Sequence, residues 1–141
     1  MHPGTPDKTE PIPFEPGQRW SYHSRAHEPL STVVVLRVDD LPGHGEVVSV
    51  AVEDVEIPHP TDPDGAILSI AHLPFAAAAL RGSVIRLLER DVDTAESEDG
   101  YRRWRQALDQ GEAGVFTVSV AEAVQFCDDA VSGRGEGSAS E

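Results

Sequence analysis

The sequence is poor in cysteine, lysine and long apolar runs. Cys127 is the only cysteine and Lys8 the only lysine among 141 residues. A lone cysteine has no partner for an internal disulfide. Positive charge is scarce as well, with 11 basic residues against 25 acidic ones and a formal net charge of −14. Such a surface repels a phosphate backbone and anionic lipid, so neither nucleic acid nor a membrane is an expected partner. No apolar run approaches the roughly 20 residues of a membrane-spanning helix. The longest, Pro74 to Leu80, is alanine-rich and ends at Arg81. MHPGTPDKTEP at the start has neither the basic nor the apolar part of a signal peptide, so a cytoplasmic location is expected. G-x-S-x-G, P-loop, G-x-G-x-x-G, H-E-x-x-H and C-x-x-C patterns are all missing, so no catalytic residue, cofactor or metal is assigned.

What is present suits one folded domain. The chain is 39% hydrophobic and 26% charged, an ordinary globular balance. Residues 1–13, with four prolines, and 132–141 (SGRGEGSASE) read as flexible tails around a domain at 14–131. RWSYHSR puts Trp20, Tyr22 and Ser24 on one strand face and Arg19, Ser21, His23 and Arg25 on the other. Thr32 to Asp39 and Val47 to Glu53 continue the alternation, separated by the turn segment DDLPGHGE, and AILSIAHL follows as a fourth strand. From Pro74 to about Arg90, Ala77, Leu80, Val84, Leu87 and Leu88 recur at helical spacing, although Gly82 weakens that helix. A second helix carries Tyr101, Trp104 and Leu108 on one stripe. GVFTVSV reads as a strand, after which Ser119 and Glu122 form an S-x-x-E box opening a last helix. That helix lines up Val120, Val124, Cys127 and Val131. The expected class is α+β: an antiparallel sheet of four to five strands in the order β-β-β-β-α-α-β-α, packed against about three helices.

PGQRWSYHSR, HLPFAAAALR, GYRRWRQAL and GVFTVSVAEAVQF together resemble a group of small stand-alone bacterial proteins. These share a PG-x-RW-x-Y opening, an H-x-P-F segment, a Y-x-x-W helix and a GVF-T-x-SV-x-EAV ending. No activity is attached to that group, so the resemblance implies no substrate, cofactor or site residue.

Residue types nominate binding positions instead. His72 stands where a strand gives way to Pro74, and strand ends often border pockets. Tyr101, Arg102, Trp104 and Arg105, with Arg103, form the one arginine-aromatic cluster of an acidic chain. Such clusters are typical of contact hot spots and anion clamps. The competing reading buries the two aromatics and pairs the arginines with the protein's own carboxylates. Trp20 and Tyr22 are core residues, or a platform if their strand face is open. His23 and His27 would be about 13 Å apart on a strand and could share a metal only if the strand ended by Ser24. A calcium loop starting at Asp62 would need glycine and an acid where Ile67 and Leu73 stand. The carboxylates of Asp128 and Asp129 disfavour a reactive Cys127 thiolate, so Cys127 is read as a small core residue.

Three functions follow from these features. The leading one is a small acidic, non-enzymatic domain docking on a basic protein partner, in the manner of an inhibitor or immunity-type protein. Residues 111–131 hold four acids and no base, and 17–57 hold seven acids against three arginines, so either region could dock. The alternative is a small-ligand-binding domain or weak enzyme with a pocket near His72 and the Arg102–Arg105 helix. The third is a self-associating subunit.

Overall fold

The computed structural model describes residues 12–62 and 64–132. The tails expected at 1–13 and 132–141 fall almost wholly outside them. Strands β1 (Arg19–Tyr22), β2 (Thr32–Leu41), β3 (Gly45–Pro58) and β4 (Ala66–Ala76) form an antiparallel meander. Helix α1 (Ala77–Ser83) then leads into β5 (Val84–Glu89), which returns to pair antiparallel with β1. The sheet order is β4-β3-β2-β1-β5. A short 3-10 turn (Ala95–Ser97), helix α2 (Glu98–Asp109) and helix α3 (Val120–Ser132) complete an α+β fold. Among the described residues no helix is long and apolar enough to cross a membrane.

Strand alternation sends successive side chains to opposite faces, and both faces are covered. Val48, Val50 and Val52 of β3 join Trp20, Tyr22, Val33, Val35 and Phe75 in the main core. Leu80 of α1 and Val120, Ala123 and Val124 of α3 close that face. On the other face Val47 and Leu41 meet Tyr101 and Trp104 of α2, and Val34, Leu36 and Ala51 form a smaller cluster. Double coverage explains the unbroken TVVVL run of β2, whose side chains from Thr32 to Leu36 are all buried.

Two expected elements differ. The helix expected from Pro74 to Arg90 is seven residues long, Ala77–Ser83. Pro74 lies inside β4, and Val84, Leu87 and Leu88 belong to β5. A run of valine, isoleucine and leucine suits either period, and β1 leaves an edge whose main-chain groups need partners. Trp20 therefore pairs with Leu87 and Tyr22 with Val84. The strand expected at GVFTVSV is reduced to one parallel bridge, Phe75 to Phe116. Its end is claimed by the capping box: Glu122 N–H donates to Ser119 Oγ, and Ser119 N–H donates to Glu122 Oε1 (both 3.1 Å). Val120 thereby becomes the first residue of α3. The observed order is β-β-β-β-α-β-α-α.

The β1–β2 loop carries a buried ion cluster. Arg25, Glu28 and Asp128 have side chains only 9%, 0% and 7% exposed. Arg25 forms a two-point contact with Glu28 and donates from Nη1 to Asp128 Oδ2 (2.9 Å) and Gln125 Oε1 (3.0 Å). Glu28 in turn accepts from Glu56 N–H at 2.7 Å. Asp54, Val55 and Glu56 lie in an irregular stretch where β3 loses register with β4, and Asp54 has a positive φ of 61°. The loop, the β3 bulge and α3 thus share one charge cluster. Burial alone would push the Glu28 carboxyl up, but Arg25 and the Glu56 amide together hold it below the usual carboxylate range.

Removing one partner of a buried pair leaves an uncompensated charge, at roughly 3–5 kcal/mol. Arg25→Ala is therefore expected to lose about that much stability in urea unfolding near neutral pH. Arg19, which meets the half-exposed Glu53 and Glu89, gives the comparison, and Arg19→Ala should cost about 1 kcal/mol or less. Because the folded Glu28 value is depressed, its contribution is complete above the unfolded value of about 4.3 and is lost as pH falls through the folded one. The gap between wild type and Arg25→Ala should narrow below about pH 4. An equal penalty for the two arginines would contradict this account.

Candidate functional site

Helix α2 is held against the sheet by its aromatic stripe. Tyr101 and Trp104 are buried, at 8% and 9% exposure. The close approach depends on Gly100, where a Cβ would sit 3.0 Å from the His72 Cβ. Tyr101 donates its hydroxyl proton to Asp39 Oδ2 (2.8 Å) and accepts from Arg105 Nη1 (3.2 Å), and the Arg37 guanidinium lies 4.6 Å above its ring. Trp104 donates from Nε1 to the Gly114 carbonyl at 2.9 Å. Burial, with Asp39 beside it, pushes the Tyr101 hydroxyl pKa up.

His72 is enclosed by these same rings, 5.9 Å from Tyr101 and 5.2 Å from Trp104 between centroids. Its Nε2 is 2.9 Å from Ser49 Oγ. Burial lowers its pKa to about 4, so the imidazole is neutral at neutral pH. A histidine beside a serine hydroxyl is half of a nucleophilic arrangement, but Ser49 is 0% exposed. Among the described residues no carboxylate is hydrogen-bonded to His72 to orient it. The contact therefore ties β4 to β3 under α2.

The remaining nominated residues are dispersed. Arg102 donates to Asp99 (3.0 Å) on the exposed side of α2, where Arg103 also lies. Arg105 Nε is 3.7 Å from Asp109, and its Nη1 serves Tyr101. Trp20 and Tyr22 are buried in the main core. Trp20 Nε1 donates to Gln18 Oε1, and Tyr22 bonds Ser31, which itself donates to the Glu53 carbonyl. His23 is exposed just beyond β1, where its main-chain N–H donates to the Ser83 carbonyl. Cys127 packs partly buried against the main core, and burial raises its thiol pKa. Among the described residues no three His, Cys, Asp or Glu side chains gather as a metal site.

What the structure brings together instead is an apolar groove of about 360 Å³, lined by Pro74, Trp104, Gly114, Val115 and Phe116. Phe116 packs on the buried Phe75 (5.6 Å) and on Phe126 of α3 (6.0 Å). Phe126 is 62% exposed, and Val118 nearby in the chain is 40% exposed. Glu122 and Asp129 flank Phe126 along α3 at i−4 and i+3, on the same side of the helix. Phe126 escapes a reading that follows only the Val120–Val124–Cys127–Val131 stripe. A helical wheel shows it as the one aromatic of α3 on the opposite, acidic side.

The depressed His72 pKa has a measurable consequence. The unfolded histidine, near pKa 6.5, binds a proton that the folded one does not until about pH 4, so stability falls as pH drops across that window. His72→Gln should flatten this part of the urea-midpoint profile, and the wild-type imidazole resonances should not titrate above about pH 5. An imidazole that titrates near its ordinary value would show that α2 does not cover it.

No family model, curated protein or solved structure matches the chain.

Proposed function

We propose that this protein is a small acidic, non-enzymatic interaction domain that docks on a basic protein partner, as an inhibitor or immunity-type protein does. The observation that carries the reading is Phe126, mostly exposed yet continuous through Phe116 with the apolar groove beside Trp104. Single exposed apolar residues are ordinary on protein surfaces. An exposed aromatic joined to a groove is the form an interface anchor takes. The surrounding charge selects the partner: residues 111–131 hold Glu112, Glu122 and Asp129 on the outside and no base, Asp128 being turned inward to Arg25. A basic segment carrying an apolar or aromatic side chain would match both features. The enclosure of His72 and Ser49 favours this reading over a pocket enzyme. So does the engagement of Arg102 and Arg105 by groups of α2 itself.

Selection of displayed peptides on the immobilised protein, followed by fluorescence anisotropy of the selected sequences, tests the proposal. Selected peptides should be rich in arginine or lysine with aromatic or aliphatic anchors, and should bind more weakly at high salt. Phe126→Ser should weaken binding about tenfold or more, as loss of an anchor does, while Arg103→Ser should leave it unchanged or tighter. Selection of acidic peptides, or indifference to Phe126→Ser, would overturn the assignment of this surface.

A further inference from the structure

We infer that the free edge of β4, from Ala66 to Ala71, accepts an extended strand of a basic partner, which packs an aliphatic side chain against Leu68. This deepens the docking reading and rests on it for the partner's basic character. β4 is the outermost strand on its side of the sheet. Its second half is already extended by the chain itself: Phe116 N–H donates to the Pro74 carbonyl and Ala76 N–H to the Phe116 carbonyl, both at 2.9 Å. Among the described residues nothing continues that pairing along Ala66–Ala71.

Exposed edges are normally blunted by charge, proline or an edge bulge, because unpaired main-chain groups recruit other strands. Residues 66–73, AILSIAHL, contain no charged residue and no proline. Both edge strands lose register with their inner neighbours, β5 with β1 at Ile85 and Leu88, and β4 with β3 between Ile70 and Leu73 and opposite Asp54, Val55 and Glu56. Of the two, only β5 carries charge, Arg86 and Glu89. The two edges are guarded unequally. Inward of the uncharged β4 edge, Leu68 (60% exposed) and Leu30 (79% exposed) line an opening of about 400 Å³ over the β3 irregularity with Asp54 and Glu56. That arrangement offers a main-chain ladder at the edge, with the exposed Leu68 on the edge strand and carboxylates on the neighbouring β3.

Charge decides the occupant. The stretch of β3 facing Ala66–Ala71 and the loop before Ala66 bring Asp54, Glu56, Asp62 and Asp64 and no lysine or arginine, Glu53 being paired with Arg19. A second copy of this protein would bring the same sign to the same edge, whereas a strand alternating aliphatic and basic residues finds partners for both.

The test uses the full chain and a short peptide alternating lysine and valine. A twin with alternate main-chain nitrogens methylated serves as control, since methylation removes donors from one peptide edge. The unmodified peptide should shift and protect the amides of Ala66–Ala71, and the methylated twin should bind about tenfold more weakly or worse. Leu68→Lys should abolish binding, and Phe126→Ser should leave it intact. Equal binding of the twin, or protection of these amides by self-association without peptide, would overturn the inference. Loss of peptide binding in Phe126→Ser with full binding in Leu68→Lys would overturn it while leaving the groove reading standing. Failure of both surfaces to bind any basic peptide would remove the two together.

Discussion

Arg25 is where three segments distant in the chain become one structure. Its guanidinium holds Glu28 in its own loop and Asp128 in α3, while Glu28 reaches the Glu56 amide in the β3 bulge. Each contact alone would replace water with protein at little net gain, and burying three charges carries a desolvation penalty. Together they satisfy one another, and loss of any one leaves the others buried and unpaired. α3 can therefore occupy only the position in which Asp128 meets Arg25. That position covers the main core with Val120, Ala123 and Val124 and turns Phe126 outward.

From that placement follows the division of the surface. Both faces of the sheet are consumed, one by α1 and α3 and the other by α2. What a partner can reach is therefore the seam between α2 and α3 and the sheet's edges. Apart from the exposed Arg103, the aromatics and arginines that look most like a binding cluster in the sequence are engaged within the protein. Tyr101 links Asp39 to Arg105, Trp104 holds the Gly114 carbonyl, and the half-buried His72 packs against both rings. Burial without a nearby charge is the cause of the depressed His72 pKa.

Legibility in the sequence followed the range of the interactions involved. β1 to β4 were readable from alternation because each strand's face preference is written in its own residues. α3 was readable from Ser119 and Glu122, which cap it locally. The Val84–Glu89 segment was not, since its apolar spacing suits a helix as well as a strand. Only the vacant edge of β1 distinguishes them. Phe116 likewise depended on a distant edge, that of β4. The Arg25 cluster spans about a hundred positions, and no spacing announces it.

The sequence by itself determined the sign of the surface, the antiparallel β-rich start, the two amphipathic helices and the absence of common catalytic signatures. Tertiary structure alone decided which side chains became core, which edge stayed open and where an aromatic was left exposed. The physical reason is that charge and periodicity are properties of the residues present, whereas burial and edge pairing depend on which main-chain and side-chain groups elsewhere still lack partners.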